Sequence, residues 1–97
     1  MRKYEIALPL NYSDGQPIEH EKIRRAFVEL LAVFGSFTVP NQRSWKYDAG
    51  RITEIMKIEV VTSTKLTKRL LKNLRERLKE SLRQSDILIM TRRIQQI

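Results

Sequence analysis

Cysteine is absent from this chain of 97 residues, histidine occurs once, and glycine and proline occur three times each. Without a thiol there is no disulfide framework, no thiolate nucleophile and no cysteine-based zinc site. His20, between Glu19 and Glu21, has no second imidazole to complete a metal site and no serine or cysteine beside it to activate, so it reads as an exposed polar residue. Gly15, Gly35 and Gly50 lie too far apart to form a phosphate-cradling loop. No apolar run approaches the roughly 18 to 20 residues that cross a bilayer. The start, Met1-Arg2-Lys3-Tyr4-Glu5, passes straight into alternating sequence without the apolar stretch of a secretory signal. The expectation is a single cytoplasmic domain over residues 1–97, with no membrane partner.

Acids are scarce as well. Eleven Asp and Glu stand against nineteen Lys and Arg, a formal net charge of +8, and polyanions are the default partners of such a chain. The charge is concentrated. The stretch from Lys65 to Arg83 holds eight cations and two acids, Glu76 and Glu80, and so supplies +6 of the +8. Wound into a helix, Leu66, Leu70, Leu71, Leu74, Leu78 and Leu82 fall on one side. Lys65, Lys68, Arg69, Lys72, Arg75, Lys79 and Arg83 fall on the other, with Arg77 at the edge of the apolar side. Like charges at such spacings cost roughly a few tenths of a kcal/mol per pair, which points to a partner for the basic face. Arg92 and Arg93 are expected to extend the patch.

Periodicity orders the rest. Tyr4, Ile6, Leu8 and Leu10 alternate with more polar neighbours, as in a first strand with one buried face. Asn11 to Pro17 has turn composition, and Pro17 suits the start of a helix over Ile18 to Phe34, capped by Gly35. Ser36 to Val39 is a short strand candidate, and Asn41 to Gly50 reads as a loop or hairpin connection holding Trp45 and Tyr47. Trp45 and Tyr47, flanked by Arg43, Lys46 and Arg51, form a basic and aromatic mixture suited to stacking on unpaired bases, but the favoured expectation is that Trp45 covers the edge of the core. Arg51 to Thr62 is the longest strand, with Thr53, Ile55, Lys57, Glu59 and Val61 on its more polar, open face. Thr62-Ser63-Thr64 offers caps for the basic helix, which Ser85-Asp86 ends, and Ile87 to Ile97 forms the last strand. The order strand, helix, strand, strand, helix, strand predicts an α+β fold, the ferredoxin-like βαββαβ arrangement, a four-stranded antiparallel sheet with both helices on one face. In Ile87-Leu88-Ile89-Met90 both faces are apolar, so either a second chain packs on the sheet or its edge, a homodimer, or this short run is fully buried within the fold.

From Lys3 to about Glu59 the chain resembles a family of small uncharacterised prokaryotic proteins. The resemblance is carried by Leu8-Pro9-Leu10-Asn11-Tyr12-Ser13-Asp14-Gly15, by Phe34-Gly35-Ser36-Phe37-Thr38-Val39, by Trp45 and by Gly50-Arg51 before the long strand. It implies a ferredoxin-like domain and no known activity. Size and strand order are also similar to those of the smaller CRISPR adaptation protein, which forms dimers that hold DNA. That likeness is of architecture, and Asn11 stands where such proteins carry an acid.

No catalytic constellation, metal site or cofactor is expected. The leading expectation is a non-enzymatic binding module, a homo-oligomer, whose Lys65, Lys68, Arg69, Lys72, Arg75, Lys79, Arg83, Arg92 and Arg93 contact the backbone of DNA or RNA without reading sequence. Docking of the basic face on an acidic protein is the alternative. A metal-dependent nuclease using Asp14, Asp48 and Glu54 stands third.

Overall fold

The computed structural model of the chain describes residues 1–40, 44–48 and 50–95. The N-terminal alternation builds β1 (Arg2–Pro9), which buries Tyr4, Ile6 and Leu8 and turns Lys3, Glu5 and Ala7 to the other side. β3 (Arg51–Thr62) pairs antiparallel with β1, setting Ile6 opposite Ile58 and Glu5 opposite Glu59. β4 (Leu88–Arg93) pairs with the free edge of β1, and β2 (Ser44–Asp48) with β3, so the sheet order is β2-β3-β1-β4. Helices α1 (His20–Phe34) and α2 (Lys68–Ser81) both pack on the face carrying Ile6, Leu8 and Ile58. This is the ferredoxin-like βαββαβ arrangement.

Ile23, Ala26 and Leu30 of α1 meet Leu74 and Leu78 of α2, with Leu82 and Ile87 closing the far side. Full burial of a Leu or Ile side chain stabilises by about 1.5–3 kcal/mol, so this apolar layer fixes the helices on the sheet. Gly35 ends α1 at φ 79°, a left-handed conformation that glycine adopts without a Cβ penalty, and its N–H donates to the Leu31 carbonyl at 2.8 Å.

Several boundaries differ from the sequence expectation. α1 begins at His20, not Ile18, because Ile18 donates its N–H back to the Leu10 carbonyl at 2.9 Å and Pro17 bridges Asn11, keeping this stretch extended. The second strand is Ser44–Asp48, inside the expected loop, whereas Ser36 to Val39 supplies only a bridge from Thr38 to Glu59. The hairpin is closed beside Gly50, whose φ of 78° admits the tight turn. Trp45 does not cover the core. It is 56% exposed, on the edge strand β2. Arg43 lies outside the described residues, as do the side chains of Lys46, Asp48 and Arg51, and the expected last strand ends at Arg93.

Candidate nucleic-acid interface

The start of the basic helix is set by two hydrogen bonds. Leu66 donates its N–H to the hydroxyl of Tyr4 at 3.0 Å, and Thr67, in extended backbone, accepts the Leu70 N–H on its side chain at 3.1 Å. Thr67 is therefore the cap, in place of Thr62-Ser63-Thr64, where Thr62 instead accepts the Thr64 N–H. Lys65 precedes the helix and Arg83 follows it, so the helix is shorter than the basic stretch at both ends.

The seven-cation face is divided. Lys65, Lys68, Arg69 and Lys72 are exposed, and among the described residues none of them lies within ion-pair distance of a carboxylate. Beyond them Glu76 intervenes, 3.5 Å from Lys79 and 3.9 Å from Arg75, and Arg77 reaches Glu29 of α1 at 3.9 Å. Arg83 takes a left-handed φ of 50° and holds its guanidinium 5.1 Å from the Tyr12 ring centroid. No acid occupies the first turn of α2, so the positive end of the helix dipole adds to the field of Lys68 and Lys65.

Between α2 and the edge strand β4 runs a groove of about 230 Å³, lined by Lys68, Leu71, Lys72, Arg75, Ile89 and Thr91. Among the described residues its walls carry three cations and no acid. The Nε of Arg75 is buried and has no hydrogen-bond partner, a donor with an unmet requirement. The strand alternation separates the two arginines of β4: Arg93, opposite Arg2, lies on the helix side, whereas Arg92, opposite Lys3, lies on the open face away from α2. Only Arg93 of the two thus shares the face of the basic helix.

A larger cleft, about 900 Å³, lies at the other end of the sheet, between loop residues such as Asn11, Asp14 and Asp86 and the end of the open sheet face at Ala7, Ile55 and Leu88. Its loops are tied together. The side chain of Asp14 accepts the Gln16 N–H at 2.9 Å, and the Gln84 amide donates to the Asn11 carbonyl at 3.2 Å, joining the β1–α1 and α2–β4 connections. The Tyr12 hydroxyl donates to Glu19 and accepts from the Lys22 ammonium at 2.9 Å. The hydrogen bond from Tyr12 holds the Glu19 carboxyl below its usual range, helped by the charges of Lys22 and Arg83. Tyr12, Lys22 and Arg83 are too far apart in the chain for any spacing rule to group them.

Of the carboxylates nominated for a nuclease, Asp14 serves its own turn, Glu54 lies on β3 opposite Trp45, and the Asp48 side chain is outside the described residues. Among the described residues no three His, Asp or Glu side chains gather as metal ligands would. His20 is exposed at the start of α1. No helix of the described residues is long and apolar enough to cross a membrane.

No protein-family model and no curated protein matches the chain. Its structure is similar to that of a phage SAM lyase in complex with S-methyl-5'-thioadenosine, with a TM-score of 0.61 at 19% identity over 94% of this chain and 79% of that one. It is similar also to a phage SAM lyase in the apo state, with a TM-score of 0.56 at 17% identity over 94% and 78% of the two chains. A de novo designed protein with a ferredoxin fold matches at a TM-score of 0.43 and 21% identity, over 96% of this chain and 84% of that one. At these identities the likeness is one of fold.

Proposed function

We propose that the chain binds nucleic-acid backbone through the N-terminal half of α2 and the groove beside β4. The observation that carries this reading is the acid-free groove in which Lys68, Lys72 and Arg75 stand over Ile89 and Thr91, next to the exposed Lys65 and Arg69. Lysine and arginine contacts to phosphate position a nucleic acid without reading its bases, and no aromatic residue lines this groove to stack on them. The test is fluorescence anisotropy with labelled duplex and single-stranded oligonucleotides across a salt series. Binding that weakens steeply with salt supports the reading. A flat response, or co-purification with an acidic protein after nuclease treatment in place of oligonucleotide binding, overturns it.

A second reading concerns the larger cleft. The fold is shared with a SAM lyase held in complex with S-methyl-5'-thioadenosine, and the cleft offers the groups a nucleoside needs. Asp14 and Asp86, each accepting a backbone N–H on one carboxylate oxygen, keep the other for ribose hydroxyls, and Trp45 lines the same cleft. Calorimetric titration with S-methyl-5'-thioadenosine and with SAM checks it. Heat that vanishes in Asp86→Ala supports the cleft as the site, and absence of binding at millimolar ligand removes the reading.

A further inference from the structure

We propose that the open face of the sheet is where two copies of this chain meet. The face opposite the helices is built from Lys3, Glu5 and Ala7 of β1, Ile55, Lys57, Glu59 and Val61 of β3, and Leu88, Met90 and Arg92 of β4. A sheet face meant for water alternates polar residues outward. β4 departs from that rule: Ile89 turns to the core, yet Leu88 and Met90, on the other side, are also apolar and are 50% and 49% exposed. Val61, on the same face beyond Lys3, is 54% exposed.

The charges on this face identify the occupant. Lys3 lies 3.3 Å from both Glu5 and Glu59, and Lys57 lies 3.7 and 3.8 Å from the same two acids. Each base touches both carboxylates, so the four form a closed, neutral ring. With Arg92 these residues carry three bases and two acids, a net of +1 on a chain of +8. Apart from Arg92 the bases of this ring are already matched by carboxylates, so among these residues a polyanion or an acidic protein finds far less to follow than on α2. A second copy of this chain does fit, because two molecules at +8 repel everywhere except where their surfaces are nearly neutral. Under a two-fold axis each copy offers the other two carboxylates, two ammonium groups and the Leu88–Met90 ridge, a self-complementary set. Packing by the edge of β4 instead would bring Arg92 and Arg93 of both copies to one seam, the use of charge by which edge strands are kept apart. In the face-to-face arrangement both α2 helices remain on the outside.

Light scattering across a concentration series reads the mass directly. A dimer that becomes monomer in Leu88→Glu and in Met90→Glu, with the circular dichroism spectrum retained, supports the proposal. A monomer at every concentration overturns it, and so does a dimer that survives both substitutions. Because the chain has no cysteine, Met90→Cys introduces a single thiol for an independent readout under reducing conditions. Its maleimide labelling slows severalfold as protein concentration rises if the face is covered, while Val28→Cys, on the outer side of α1, labels at a constant rate. Equal, concentration-independent labelling of both overturns the proposal.

Discussion

Replacing Lys68, Lys72 and Arg75 together by alanine isolates the groove from the rest of the basic surface. Lys68 and Lys72 are exposed and Arg75 is half-buried, alanine is the best helix former, and none of the three belongs to the buried apolar layer, so the fold is retained. Five cations stand along the groove and the start of the helix: Lys65 just before it, Lys68, Arg69 and Lys72 in its first half, and Arg75, whose guanidinium lies 3.9 Å from Glu76. If each neutralises one duplex phosphate, log K falls with log salt at a slope of about −4.5, and about −1.8 remains after three are removed. Between about 50 and 200 mM salt the parent then loses about 500-fold in affinity and the variant about 12-fold. On a single strand the corresponding slopes are about −3.5 and −1.4. Anisotropy titrations at four or five salt concentrations resolve this difference. The control is Arg24→Ala with Arg25→Ala on α1, where Glu21 already lies 2.8 Å from Arg24 and 3.6 Å from Arg25. That control leaves the slope unchanged. An unchanged slope in the triple variant, or an equal change in the α1 control, refutes the assignment of phosphate contacts to this groove.

Leu78, fully buried between the helices and the sheet, should cost about 2.7–5 kcal/mol when cut to alanine, read as a fall in the urea midpoint. Arg83→Ala and Arg83→Gly both remove the guanidinium from Tyr12, but only glycine relieves the left-handed backbone at φ 50°. The glycine variant should therefore be the more stable by about 1–2 kcal/mol in thermal or urea melts, and equal stabilities would show that the backbone there carries no strain. Burial of Glu5 raises its carboxyl pKa, but the hydrogen bond from Lys3 and the charges of Lys57, Lys3 and Arg92 outweigh it and hold the group below its ordinary value of 4.5. The folded chain thus binds fewer protons there than the unfolded one, so this stability is complete above that ordinary value and is lost as pH falls through the depressed folded one. Glu5→Gln should then cost stability near neutral pH and much less in acid below the folded value, and a cost independent of pH would contradict this.

The long strand was legible residue by residue, since Arg51 to Thr62 is long enough for period-2 alternation to separate its faces, and β1 followed from Tyr4, Ile6 and Leu8 in the same way. Short elements were not. Ser44–Asp48 became a strand through its pairing with β3, a non-local event, while Ser36 to Val39 found only one partner residue. The limits of α2 depended on a hydroxyl from Tyr4, 62 positions before Leu66 in the chain. The basic face was visible from helical spacing, but its division was not, because spacing cannot tell which cations Glu76, Glu29 and Tyr12 engage. The exposure of Trp45 escaped prediction for a related reason. Average burial of tryptophan says nothing about which strand becomes the edge of the sheet.

The position of Glu76 has a consequence for direction. Within α2 the cations without a carboxylate partner, Lys68, Arg69 and Lys72, lie toward its start and the paired Arg75, Arg77 and Lys79 beyond them, so the positive charge is strongest where the helix dipole is also positive. If α2 takes the proposed nucleic-acid backbone, that anionic chain would meet the Lys68 end first. Removing that single carboxylate, by Glu76→Ala, would release Arg75 and Lys79 and even out the charge along α2 without adding a cation.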